Sequence, residues 1–130
     1  MKVRALHNDL NKLDPSLQNY AYGQGSSGIV DLTEGKEYTV YGTRDNKLGK
    51  FYFVLTDEIN TKLPWWMPAG FFEVVNTKMP DSWKNHSWDG YGKETIKADP
   101  IYFDANLEFE DRTQKGFEIF DKMRKDAEEV

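Results

Sequence analysis

Leu63-Pro-Trp-Trp-Met-Pro-Ala-Gly-Phe-Phe-Glu-Val-Val75 places two tryptophans and two prolines directly before a short apolar strand, a combination that turns a corner and closes small barrels. Adjacent residues on a strand point to opposite sides, so Trp65 and Trp66 cannot both enter one core. Either both are structural, one in the core and one beneath later parts of the chain, or one is an exposed aromatic anchor for a peptide or protein partner. Upstream, Leu32-Thr-Glu-Gly-Lys-Glu-Tyr-Thr-Val-Tyr41 supplies a turn glycine and then Tyr38 and Val40 two apart. Lys50-Phe-Tyr-Phe-Val-Leu-Thr56 reads as a strand apolar on both faces.

Residues 2–7 alternate Val3, Ala5 and His7 against Lys2, Arg4 and Leu6, which fits a first strand with one face inward. Residues 8–28 are dense in Asn, Gly, Ser and Gln and form a long irregular loop. Gly35 leads into a strand over residues 37–42, and residues 44–49 make a polar hairpin loop. After Val75 the pattern changes. Met79-Pro-Asp-Ser-Trp83 is a single turn, and residues 84–92 form a turn-rich segment whose Trp88 and Tyr91, with Trp83, plug an open barrel end. Pro100-Ile-Tyr-Phe103 adds a strand. Residues 111–130 read as a helix, because Phe117, Phe120, Met123 and Ala127 recur at three- and four-residue spacing, with Asp111 and Gln114 as a capping box.

The chain is thus expected to be mainly β with a C-terminal helix, an α+β class, in one domain over residues 1–130. Residues 1–75 form the barrel, and residues 76–130 add the aromatic loop, an acidic segment and the helix. With 130 residues there is room for one such domain and a core larger than a minimal barrel needs. At 15% aromatic, the composition is too rich for a disordered chain and makes the core aromatic rather than aliphatic.

Zero cysteines exclude disulfides, thiolate metal sites and cysteine nucleophiles. No apolar run reaches the ~20 residues that span a bilayer, and the start lacks the apolar centre of a signal peptide, so a soluble cytoplasmic protein without a membrane partner is expected. Net charge is −5, and its placement is uneven: residues 1–98 hold twelve acidic and twelve basic side chains, residues 99–130 ten acidic and five basic. Phosphate backbones repel such a surface, which argues against nucleic acid and for a basic protein partner.

The residues offer little catalytic machinery. His7 and His86 stand in different contexts, and Ser26, Ser27, Ser82 and Ser87 have no nearby base. His86 with Asp81 and Asp89 has the chemistry of a weak zinc or manganese site, although a solvated loop accounts for them more simply. Gly23, Gly25 and Gly28 lack the helix start and lysine of a phosphate loop. Asp99, Asp104, Glu108, Glu110 and Asp111 gather five acids in thirteen residues. Ordinary solvated surface, a contact patch for a basic partner, or acid–base and cation chemistry are the three readings, the last the least supported. No cofactor and no enzymatic activity are expected.

Ala5-Leu6, Gly35, Tyr38, Val40, the strand from Phe51 to Val54 and the corner from Trp66 to Val75 together resemble the SH3-like small barrels. Members that grip proline-rich helices carry tyrosines after the first strand, whereas here Ala5-Leu6 is followed by His7-Asn8-Asp9. In general character the chain also resembles the immunity proteins that accompany bacterial polymorphic and contact-dependent toxins. That second resemblance implies stoichiometric inhibition of a cognate basic toxin, such as a nuclease, by an acidic surface: Asp99, Asp104, Glu108, Glu110 and Asp111, with Trp88 or Tyr91 as apolar anchor. The alternative is an SH3-like module that binds a peptide or assembly partner through Trp65 and Trp66.

Overall fold

In a computed structural model of the chain, residues 1–15, 28–58, 63–88, 93–104 and 112–130 are described, the side chain of Trp88 excepted. Among these residues eight strands form two antiparallel sheets. The smaller has the order β2 (Glu37–Thr39), β1 (Lys2–Ala5), β6 (Phe72–Asn76). The larger has the order β5 (Trp65–Pro68), β4 (Gly49–Val54), β3 (Gly42–Asn46), β8 (Glu94–Ala98), β7 (Lys84–Trp88). A short helix α1 (Pro100–Asp104) and a long one α2 (Gln114–Glu128) follow. A mainly β chain ending in a helix is what the sequence implies.

Two corners carry the chain between the sheets. The strand expected over residues 37–42 splits: the Val40 amide donates to Met1 in the small sheet, and the next amide, Tyr41, donates to Phe53 in the large one. Both side chains are buried at the crossing. The second corner is a 3-10 turn at Ala69–Phe71, after Pro68, which returns the chain from β5 to β6 and there to β1. Between the sheets lies an aromatic core in which Tyr52 and Tyr38 both meet Phe72 edge-on, at centroid distances of 6.0 and 6.2 Å.

β4 is buried at four successive residues, Phe51 to Val54, so both of its faces are covered, as its apolar run requires. Tyr52 faces the small sheet, while Phe53 faces the opposite side, where Tyr102 of α1 packs on it at 5.5 Å. The hairpin into β4 is tighter than the expected residue 44–49 loop: Asn46 pairs with Gly49, leaving Lys47 and Leu48 as the turn. The Asn46 side chain accepts from the Leu48 amide at 2.9 Å, and Gly49 takes φ +124, a conformation only glycine adopts without strain.

Beyond residue 75 three expectations are corrected. Residues 84–88 are a strand rather than a turn-rich loop; β7 pairs with β8 from Lys84↔Ala98 to Trp88↔Glu94, so the large sheet draws strands from both sides of residue 75. Residues 100–103 are helical rather than extended. Pro100 suits a first helical turn, and the Asp99 carboxylate accepts from the Ile101 amide at 3.0 Å, a capped start that overrides the β-forming side chains. The long helix begins at Gln114 and not at residue 111; its cap is Thr113, whose hydroxyl accepts from the Gly116 amide at 3.1 Å in place of the Asp111–Gln114 box. Buried Phe120, Met123 and Ala127 form its inner face as the spacing implies. Along its outer face Arg124 pairs with Glu128 at 2.9 Å. No helix among the described residues is long and apolar enough to cross a membrane.

Asp57, just beyond β4, ties the Gly35 turn to the large sheet. It accepts hydrogen bonds from the Thr33 and Tyr38 hydroxyls and the Lys36 ammonium. Burial works against its ionisation, but these donors prevail and hold its carboxyl below the ordinary value. A carboxyl depressed on folding contributes stability above its unfolded pKa, and that contribution is lost as pH falls through the folded one. Asp57→Asn is therefore expected to destabilise at neutral pH and to make the stability difference from wild type shrink below about pH 4. Urea melts at pH 7 and pH 3 check this.

Phe120 is fully buried and meets Tyr41 edge-on at 4.8 Å, which fastens α2 to the crossing between the sheets. Phe120→Ala is expected to cost about 3–5 kcal/mol. An unchanged denaturation midpoint would contradict this packing.

Candidate functional site

The residue-63 corner and the C-terminal third meet in a cleft of about 150 Å³ lined by Arg44, Phe53, Pro64, Trp65, Trp66, Tyr102 and Arg112. Its floor follows from β-sheet register. Phe53 of β4 lies directly opposite Trp66 of β5, and the rings stack at 4.3 Å with 21° between planes. Tyr102 then packs edge-on against both, and the Trp66 indole N–H donates to its hydroxyl at 3.4 Å. Gly42 makes room for the far edge of the indole: a Cβ there would stand 3.2 Å from the Trp66 ring and 3.2 Å from the Ala98 Cβ.

Two guanidinium groups border this floor. Arg44 sits 5.6 Å from the Trp66 ring centre, its Nε held at 2.6 Å by Glu94, which also accepts from Asn46 at 3.2 Å. Burial opposes ionisation of Glu94, yet the bonds from Arg44 and Asn46 lower its pKa overall. Arg112 lies 3.9 Å from the Trp65 ring centre and donates to the carbonyls of Leu63 at 2.9 Å and Pro64 at 3.4 Å. Its φ of +51 is in the left-handed region, a strained conformation for an arginine that precedes the Thr113 cap. Burial lowers its pKa, partly offset by attraction to Glu58, which itself accepts from the Trp65 indole at 3.1 Å. No carboxylate of the described residues stands within ion-pair distance of Arg112.

The two tryptophans are both half-buried, so neither is wholly core and neither wholly exposed. Opposed directions on β5 send Trp66 over Phe53 and Trp65 under Arg112. Among the acidic residues, Asp99 is only 8% exposed and serves as the α1 cap, whereas Asp104 is exposed at the helix end. Glu108, Glu110, Asp111 and Tyr91 lie outside the described residues, as does the side chain of Trp88. His86 is exposed and stacks on Phe103 at 4.9 Å, while Asp89 is outside the described residues. No group of three or more metal-ligating side chains gathers among the described residues.

Sequence reasoning reached Trp65 and Trp66 but missed Arg44, Tyr102 and Arg112. Only the Asp99-Pro100 cap signature could have placed Tyr102 on a helix turned back toward the sheet.

Gly42→Ala is expected to displace the Trp66 indole, changing the tryptophan near-ultraviolet circular dichroism and lowering stability by about 1–3 kcal/mol through overpacking. An unaltered spectrum and midpoint would show that the indole does not lie over Gly42.

Protein-family models, curated proteins and solved structures give no match to the chain.

Proposed function

We propose that the chain is a non-catalytic, cytoplasmic protein-binding domain with an SH3-like core, acting through the tryptophan cleft. The observation that carries this is the pair of partly buried indoles on one edge strand, preorganised by side chains from distant segments. Rigid aromatic anchors of this kind lose little entropy on binding and supply most of the energy at protein interfaces. The SH3-like reading is supported by the order of elements: a Gly35 turn, a strand that changes sheets, an aromatic central strand, a tryptophan-proline corner, and a last strand that pairs back on β1.

A second reading is favoured by the charge distribution. Ten acidic against five basic residues over 99–130, with Asp104 exposed, suit a bacterial immunity protein that neutralises a cognate basic toxin. Carboxylates would stand where a nuclease holds phosphate, and steering by the acidic surface would speed association. The contacts would be Asp104, Glu108, Glu110 and Asp111, with Trp88 or Tyr91 as anchor; Asp99 would act by capping α1.

The two readings separate in binding to the native partner, isolated from the host by pull-down. The cleft reading predicts that Trp65→Ala weakens affinity about thirtyfold, the effect of losing ~2 kcal/mol at an anchor, while Glu108→Lys with Asp111→Lys leaves it within about threefold. The immunity reading predicts slower, less salt-dependent association in the charge-reversed variant and no loss in Trp65→Ala beyond its effect on folding. Association rates at low and high salt, with melting curves of each variant, decide between them.

A further inference from the structure

The size and wall chemistry of the cleft specify its occupant, given that the cleft is the binding site proposed above. About 150 Å³ is well below the roughly 300–1,000 Å³ of drug-sized ligand and cofactor pockets, and it matches one inserted side chain. Aromatic walls alone would suit a cation, since indole faces attract ammonium and guanidinium groups. Here those faces already meet the protein's own cations. Arg112 covers Trp65 at 3.9 Å and Arg44 stands at 5.6 Å from Trp66, so an incoming lysine would meet like charge instead of an open π face.

The two arginines differ in what they have left to offer. Arg44 is bound to Glu94. Arg112 meets no carboxylate of the described residues, and spends two of its five N–H donors on the carbonyls of Leu63 and Pro64. It is partly withdrawn from water, and the chain accepts a left-handed φ to place it there. Clamping β5 to the start of α2 needs only the hydrogen bonds. A guanidinium held 3.9 Å over an indole, with N–H donors remaining beyond its two carbonyl bonds, can also receive a carboxylate. Glu58, which accepts from the Trp65 indole N–H, lowers the net positive field at Arg112 and sets a limit on how tightly a lone anion would bind.

We propose that the cleft between Trp65, Trp66 and Arg112 receives an aspartate or glutamate side chain of an acidic protein segment, with Arg112 as the carboxylate partner and the indoles as apolar walls for its neighbours. The partner is then recognised by negative charge flanked by aliphatic groups. This is opposite in sign to the basic partner of the immunity reading.

The test uses the full chain with nitrogen-15 labelled tryptophan and three peptides: acetyl-Ala-Leu-Glu-Leu-Ala-amide and its analogues with glutamine or lysine at the centre. The expected result is saturable movement of the Trp65 and Trp66 indole resonances by the glutamate peptide, with at least tenfold weaker binding of the other two. Arg112→Gln should bring the glutamate and glutamine peptides within about twofold of each other. Arg112→Lys, which keeps the charge but not the fork, should retain part of the preference. The comparison of peptides on the wild-type protein decides the matter even where Arg112→Gln does not fold. Equal binding of all three peptides, or preference for lysine, would overturn the carboxylate assignment while leaving the cleft as a binding site. Indoles unmoved by any peptide would also overturn it, and the cleft reading itself falls separately if Trp65→Ala leaves affinity for the native partner intact.

Discussion

The stacking of Phe53 on Trp66 is the contact on which the rest of the molecule depends. It lies on the face of the large sheet turned away from the small one, so it can stay dry only if something covers it. A stacked aromatic pair adds about 0.5–1.5 kcal/mol beyond its burial, but only where water is kept off most of the rings. Tyr102 provides that cover, and it reaches the pair because β8 lies beside β3 in the same sheet and α1 follows directly from its end. The C-terminal third is therefore part of the fold's hydrophobic accounting rather than an appendage to a finished barrel. α2 completes it through the contact of Phe120 with Tyr41, whose amide donates to Phe53.

The same constraint explains why a cleft exists at all. Among the described residues no further strand lies beside β5, and its Pro68 also limits additional pairing. The Arg112 guanidinium lies over the Trp65 ring, and its residue takes a left-handed conformation before a helix cap. Cover of this kind leaves indole surface accessible. Thus the edge is blunted against sheet-to-sheet aggregation while a small, chemically mixed opening remains.

How far the sequence shows this varies with the physical signal each element carries. The double-faced burial of β4 is legible because four apolar residues run together, and the α2 face because Phe120, Met123 and Ala127 keep helical spacing. β7 is not: Lys84, Asn85, His86 and Ser87 carry no alternation, and the strand is held by its pairing with β8, including a 2.9 Å contact between the Ser87 and Thr95 hydroxyls. Residues 100–103 mislead because Ile101, Tyr102 and Phe103 favour strands, while the deciding information is the cap at Asp99. Trp65 and Trp66 stand out as site residues from composition alone. Arg44, Tyr102 and Arg112 do not, since they join the cleft across separations such as the 36 residues between Trp66 and Tyr102 or the 49 between Leu63 and Arg112, which no local pattern encodes.

The central claim is that the C-terminal third closes over the tryptophan corner and builds a preformed cleft there. Proton NMR of the full chain addresses it most directly, through the Arg112 side chain. A guanidinium 3.9 Å above the Trp65 ring places the neighbouring δ protons in the ring current. The account predicts δ proton signals shifted well upfield, cross-relaxation between them and the Trp65 indole protons, and loss of the shift in Trp65→Ala. Arg112 δ protons at their unfolded-chain position in a protein that is otherwise folded would contradict it.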